Sequence, residues 1–465
     1  MEQNYRVSKD SLGEVRVPEE ALWGAQTQRA IDNFPISGLR LPRRFIRAQG
    51  IIKWAAAKAN GKLGELDPKV ADAIMQAADE VIDGRWDSQF VVDVYQAGAG
   101  TSQNMNANEV IANRAQEILG GKRGDVSLVH PNDHVNMAQS TNDTIHVAIH
   151  IAGAEAVVHD LIPAIETVER ELKKKAEQWM DIVKSGRTHL QDAVPMRLGQ
   201  EVGGWAGALT YWRESLAESV KKLYAIGLGG NAVGTGINAH PDYKREAVAA
   251  VGEKTSLPFA LPANMFTFIQ NMDAVLEVSG QVRGLATAVG KIMNDIRLLS
   301  SGPRTGLAEL KLPAVQPGSS IMPGKVNPVM AEMMNMICYQ VIGCDATVQA
   351  AVSGAQLELN VMMPVVAFNL LHEIQILSTG LLAFHRQALE GLEADRERVT
   401  GYVEMSTAIA TALNPYIGYD RAAVVAKTAY AEGKTVRQVV REQGLLDEAT
   451  LNEALDLERM THPEQ

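Results

Sequence analysis

The 465-residue sequence predicts a mainly α protein built around a bundle of long helices, and three observations carry that expectation. Val275, Val278, Val282, Leu285, Val289, Ile292, Ile296 and Leu299 follow one another at spacings of three and four without a break, the seam of a long helix packed among others. The run after Pro328 carries Met330, Met333, Met334, Met336, Ile337, Val341 and Ile342, with Glu332 and Asp345 its only charges up to that point. A helix apolar on nearly every side belongs at the centre of a large core or of an oligomer. Between about residues 141 and 395 the helical pattern is broken chiefly by Gly-rich loops, at Gly227 to Gly236 and at Pro317 to Gly324.

Taken in chain order, residues 1–140 mix short extended signals with helix and are punctuated by Gly98, Gly100 and Pro131, which reads as a mixed, mostly helical first domain. Residues 141–395 form the central helical body. Leu276, Ala286, Met293 and Leu298 lie off the seam described above, so that helix seeks cover on more than one face. Residues 396–465 are more charged, with Glu404, Asp420, Arg421, Lys434 and Arg437 among short helices, and are read as a small C-terminal helical domain. No internal repeat or low-complexity tract is evident.

Composition narrows the function classes. Lys and Arg total 44 against 55 acidic residues, a net charge of -11, so a nucleic-acid-binding surface of the usual basic kind is not expected and an anionic substrate needs a locally positive site. The two cysteines, Cys338 and Cys344, suggest neither a disulfide framework nor a zinc knuckle. The first residues lack an apolar signal region, and no uninterrupted apolar stretch of about 18 residues occurs, so the expectation is a cytoplasmic protein without a membrane span.

Three polar clusters stand directly before apolar helices, where unpaired backbone N–H groups attract anions. They are Gly98-Ala99-Gly100-Thr101-Ser102, then Ser140-Thr141-Asn142-Asp143, and finally Lys325-Val326-Asn327-Pro328, in which Asn327 suits an N-cap and Pro328 the first helical position. Taken singly, each reads more readily as plain capping. Their shared placement is what points to carboxylate binding. The loop Pro317 to Gly324 places Ser319 and Ser320 between glycines as a catalytic lid would, though a polar turn entering the next helix is the simpler reading. Gly186-Arg187-Thr188-His189 brings a guanidinium, a hydroxyl and an imidazole together. His146 and His150 have the i, i+4 spacing of metal ligands but lack the Glu of a zincin, and no metal is expected. Gly227 to Gly236 fits neither a phosphate-binding loop nor a dinucleotide fingerprint, so no nucleotide cofactor is expected.

Assembled, these segments resemble the aspartase/fumarase superfamily, above all through Gly318-Ser319-Ser320-Ile321-Met322-Pro323-Gly324-Lys325-Val326-Asn327-Pro328. Segments around Gly98, His130, Ser140, Gly186, Ala232, Ser301 and Glu358 join it, so that the resemblance runs from about residue 5 to 460. It implies a three-domain, nearly all-helical subunit, a homotetramer whose active sites are each shared between subunits, and no cofactor. It further implies that Ser319 is the general base on a carbon beside a substrate carboxylate, with His189 close by. Residues matching Thr188, Lys325 and Asn327 then bind one carboxylate of a small dicarboxylate. Those matching Thr101, Ser140, Thr141 and Asn142 hold its other polar groups, next to Ser320 and to Glu332, which could pair with His189 or Lys325. His130, Asn132 and Asp133 resemble a second anion site.

Within the superfamily the motifs divide. Ala97 to Ser102, Ser140 to Asp143, Gln356 to Met362 and the ending Met460 to Pro463 look like aspartase, whereas Leu22 to Gln28 and Leu228 to Ala232 are more similar to class II fumarase. Weighted toward the site, they favour deamination of L-aspartate to fumarate over hydration of fumarate to L-malate. Two departures bear on substrate choice: His146-Val147 follows Ile145 where the family usually shows Pro-Thr, and Met363 stands where aspartases commonly have Glu. A non-catalytic role of the eye-lens kind is disfavoured because Ser319, Lys325, Asn327, Thr188 and His189 are all present.

Overall fold

A computed structural model describes residues 4–462. It opens with an antiparallel hairpin, β1 (Tyr5–Asp10) and β2 (Gly13–Pro18), and continues into helices α1 (Ala25–Asn33), α2 (Arg43–Leu63), α3 (Pro68–Ile82), α4 (Thr101–Ile118), α5 (Thr141–Ala156) and α6 (Ile162–Gln178). A second hairpin, β3 (Val183–Thr188) and β4 (Gln191–Arg197), leads into α7 (Leu198–Ser219), α8 (Tyr243–Thr255), α9 (Met265–Gln270) and α10 (Asp273–Leu299). Strand β5 (Leu310–Lys311) precedes α11 (Val329–Val352) and α12 (Met363–Phe384), and pairs with β6 (Glu393–Ala394). Six short helices finish the chain: α13 (Arg396–Met405), α14 (Asn414–Ile417), α15 (Tyr419–Glu432), α16 (Val436–Glu442), α17 (Glu448–Ala454) and α18 (Leu457–Met460). The fold is mainly helical, as the periodicity predicts.

The chain packs into two compact units, each assembled from three stretches. Among the described residues, the first comprises 4–163, 213–286 and 338–378; the second comprises 164–212, 287–337 and 379–462. Helices α7, α10, α11 and α12 therefore supply residues to both. In the first unit α2 packs against α3, α5 and α8. Its run from Phe45 to Ala57 is buried apart from Arg47, and Gly64 in the left-handed region ends it. Asp67 starts α3 by accepting the N–H groups of Lys69 and Val70, with Pro68 in the first turn. In the second unit the β3–β4 hairpin packs on α13, and residues from Val403 to Leu455 close a separate apolar cluster that includes Leu413, Val425, Val440 and Leu451.

All eight seam positions of α10 are buried. Helix α11 divides differently: Met334, Cys338, Val341 and Val348 are buried, whereas Met336, Tyr339 and Ile342 are 64, 61 and 40% exposed. Two helical runs, Thr141–Gln178 and Met363–Leu389, are long and apolar enough to cross a membrane by length and composition alone. In the first, 78% of the apolar window is buried inside the chain, the condition of a core helix; in the second only 56% is.

Candidate active site

In the first unit the starts of α4 and α5 lie side by side. Ala99 and Gly100 adopt left-handed backbone, the Ala99 N–H donates to Val361 O at 2.8 Å, and a side chain at Gly100 would stand 3.1 Å from Ile145 in α5. Ile145 therefore serves as the packing surface for the turn that launches α4. Ser140 caps α5: its hydroxyl accepts the Asn142 N–H, while Asp143 accepts the Ser140 N–H at 3.0 Å, closing a capping box. Asn142 donates to Ala232 O at 2.8 Å. Thr101 is exposed, and Thr141 and Asn142 are half-buried, so both helix starts open outward.

Behind them lies a buried polar layer that motif reading missed. Asp143, fully buried, also accepts N–H groups from Gly229 and Asn231 at 2.9 Å each. Burial nevertheless raises its carboxyl to about 6. The Gly-rich loop is thus a cradle for an internal carboxylate; Gly227 is required because a Cβ would lie 2.4 Å from the Phe268 ring. Lys53 of α2 is 1% exposed and donates to Asn104 Oδ1, Asn136 Oδ1 and Gln139 Oε1 at 2.9, 3.0 and 2.9 Å. Burial lowers its ammonium to about 7, partly opposed by the charge of Asp143. One lysine in the otherwise apolar run from Ile51 to Ala57 is a signal the sequence carries, as are the closely spaced Asn104, Asn106 and Asn108, all buried, along α4.

In the second unit, Gly318 to Asn327 form a closed loop. The Gly318 N–H donates to Lys325 O at 2.8 Å, and Asn327 Nδ2 donates to Gly318 O at 2.8 Å. A Cβ at Gly318 would sit 2.4 Å from Lys325 O, so the closure requires glycine. Asn327 does not serve as the N-cap that its position suggests. Its amide ties down the loop, and α11 begins after Pro328, whose carbonyl accepts the Glu332 N–H. Within the loop Ser319 Oγ accepts the N–H groups of Ile321 and Met322 at 3.2 and 3.0 Å. Ser320 and Lys325 are exposed, and Ile321 is 83% exposed.

Thr188 and His189 stand at the tip of the second hairpin. Thr188 pairs with Gln191, which leaves His189 and Leu190 as a two-residue turn with φ of 54° and 58°, the left-handed geometry that suits the strand twist. The stem is held by buried charge: Glu309, fully buried, meets Lys184 at 2.9 Å and Arg187 at 2.6 Å, and Lys184 also meets Glu201 at 2.6 Å. Among the described residues, Lys325, Glu332 and His189 form no ion pair within the chain.

His130, Asn132 and Asp133 lie together at a short helical turn, where His130 Nδ1 stands 3.1 Å from both the Asp133 backbone N and the Asp133 carboxylate; Asn132 and Asp133 are exposed. His130 and Asn132 line a cavity of about 340 Å³ with Lys9, Gln26 and Glu109. His146 is buried and stacks on Phe268 at 4.1 Å, with His150 edge-on at 5.0 Å. Among the described residues no group of three or more His, Cys, Asp or Glu is placed to hold a metal ion. Met363 is fully buried at the start of α12.

Comparison with known proteins identifies the family. A lyase family model matches residues 13–343, and a model described as the fumarase C C-terminus matches residues 409–462. The class II fumarate hydratase of Halobacterium salinarum is 51% identical over 99% of this chain and 98% of its own length. An aspartate ammonia-lyase from a Bacillus species is 46% identical over 100% and 99%. The crystal structure of a class II fumarase from Schistosoma mansoni superposes with a TM-score of 0.96 at 37% identity, covering 99% of this chain and 100% of that one. With family models covering both its body and its C-terminal region, and relatives matched end to end, the chain belongs to the fumarase/aspartase superfamily of lyases.

Proposed function

We propose that this protein is a class II fumarate hydratase, interconverting L-malate and fumarate. The observation that carries the choice is the higher identity to the halobacterial hydratase, 51% against 46% for the Bacillus ammonia-lyase, over essentially the whole chain. This reverses the weighting of the site-proximal motifs, which favour aspartase. Deamination of L-aspartate stays as the second reading on the strength of Ala97 to Ser102 and Ser140 to Asp143.

In this reading Ser319 removes the proton from the carbon beside one carboxylate. A free hydroxyl is too weak a base, and the two N–H groups aimed at its oxygen lower that barrier by stabilising the alkoxide. The Ser319 alkoxide takes up the proton while charge gathers on the carboxylate as an aci-dianion; hydroxide then departs and recovers that proton as water, leaving fumarate and the restored base. Donors aimed at the developing charge, each worth about 2.7 to 4 kcal/mol, are supplied by Lys325 and Asn327, Thr188, and the hydroxyls at the α4 and α5 starts. His189, next to Thr188 in the hairpin turn, stands near the carboxylate in this reading.

Thr101, Ser140, Thr141 and Asn142 belong to one compact unit, and Thr188, His189, Ser319, Lys325 and Asn327 to the other. We propose that different copies of the chain supply them to each site in a homotetramer. The uncharged outward face of α11, with Met336, Tyr339 and Ile342, supports the assembly. The deciding experiment follows fumarate absorbance in the ultraviolet with L-malate or L-aspartate as sole substrate. Fumarate from malate alone establishes the hydratase, fumarate from aspartate alone the ammonia-lyase, and silence with both removes the reading.

A further inference from the structure

We propose that Lys53, buried behind the start of α5, is a positioning residue that sets the direction of a hydrogen-bond relay and so makes the Thr141 hydroxyl a donor toward a substrate carboxylate. The inference rests on the dicarboxylate reading above and assigns a part to a residue outside the expected set.

Lys53 presents an ammonium to its neighbours. It donates three hydrogen bonds and accepts none, so each amide facing it must present oxygen. Asn104, Asn136 and Gln139 do so, and together they take all three N–H bonds of Lys53. That fixes the orientation of the Asn104 amide and turns its NH2 the other way, where it donates to Asn136 Oδ1 at 3.2 Å and to Thr141 Oγ at 3.3 Å. Asn136 is held in turn, since its oxygen also receives Asn108 Nδ2 at 3.2 Å and its own NH2 donates to Gln139 O.

With one lone pair occupied by Asn104, the Thr141 hydroxyl points its proton away from the layer. The half-buried Thr141 lies in the first turn of α5, where backbone N–H groups already favour an anion. The relay thus runs from ammonium to amide to hydroxyl to ligand, and every donor faces the helix start. A buried cation without a directly paired carboxylate is costly. Its neighbour Asp143 is spoken for by three backbone N–H groups, so the cation's field also falls on the site. A group with lone pairs, such as a carboxylate oxygen, suits this hydroxyl; an ammonium suits it less well.

The test uses the full-length protein and succinate, an unreactive dicarboxylate, titrated by calorimetry, with thermal midpoints recorded for each variant. Lys53→Met is expected to weaken succinate ~10- to 100-fold, the range for one hydrogen bond to a charged group, and to raise the substrate KM by a similar factor. Thr141→Val should do the same, and the double variant should be no weaker than Thr141→Val alone, because both changes remove one interaction. Additive losses would overturn the relay. Since Lys53→Met removes the ammonium donor from the buried Asn104 and Gln139 oxygens and can fail to fold, Asn104→Asp provides an independent arm. It keeps an acceptor for Lys53 but has no N–H for Thr141, and it should weaken succinate as Thr141→Val does. Fumarate formation by the parent is scored separately: its absence sinks the functional reading, whereas unchanged succinate affinity in Asn104→Asp sinks the relay while that reading stands.

Discussion

Ser319 is the residue on which the proposed chemistry turns. Its oxygen accepts two backbone N–H groups and it sits in an exposed loop, so removing it costs little packing. Ser319→Ala should lower kcat by ~10³-fold or more with an unchanged thermal midpoint; a variant that retains turnover excludes Ser319 as the base. His146 and His150 set the sign of a pH effect. Burial depresses both, His150 to about 4, below the ~6.5 of an unfolded chain. The native state then binds fewer protons than the unfolded one in that interval, so stability is full above roughly pH 6.5 and is lost as pH falls toward 4. Asp143, raised to about 6, acts in the opposite sense over the lower part of the window. Among the described residues neither His146 nitrogen has a hydrogen-bond partner. His146→Leu should therefore raise stability at neutral pH by about 1 to 3 kcal/mol and flatten the acid loss in urea titrations from pH 7.5 to 4.5. Equal acid slopes in the two proteins would refute this account.

Elements carry the site residues to their places, and two can be tested as elements. The loop from Gly318 to Asn327 closes only because nothing projects from Gly318. Gly318→Ala should open it and misplace Ser319 and Lys325 together, with a loss in kcat/KM of ~10²-fold or more. Because the loop is exposed, circular dichroism and the thermal midpoint should barely change. The hairpin stem behaves differently. Glu309 is fully buried between Lys184 and the half-buried Arg187, and Glu309→Gln removes the countercharge of Arg187 while leaving buried Lys184 with Glu201 alone, which should cost about 3 kcal/mol by denaturant titration. The hairpin and loop segments were recognisable as motifs, since glycine, proline and hydroxyl residues cluster there. The roles inside them were not: Asn327 caps a helix by position, yet its amide closes the loop because Pro328 already occupies the helix start.

Assembly belongs to the whole molecule. In the proposed assembly α11 contributes an outward face that includes Met336, Tyr339 and Ile342, and no charged residue is among its exposed positions. Tyr339→Arg should lower the oligomeric state in light scattering and reduce turnover in step, if sites are shared between copies. Sharing itself is read by mixing: Ser319→Ala and Thr141→Val proteins, each impaired alone, should recover a substantial fraction of activity when unfolded and refolded together. No recovery would place each site within one chain.

Periodicity and turn chemistry by themselves determined that the protein is helical, where its longest buried helix runs and which clusters stand at helix starts. These are local properties, written in spacings of three and four and in the residues that cap or break helices. The resemblance of Gly318 to Pro328 carried the family. Tertiary structure alone decided which polar residues are buried and what satisfies them. Lys53, Asn104, Asn136 and Gln139 are spread over three segments of chain, and Asp143 is met by backbone from Gly229 and Asn231. The physical reason is that a hydrogen bond is set by distance and direction in space, which separation along the chain does not encode. The same holds for Glu309, whose countercharges Lys184 and Arg187 lie more than a hundred residues away.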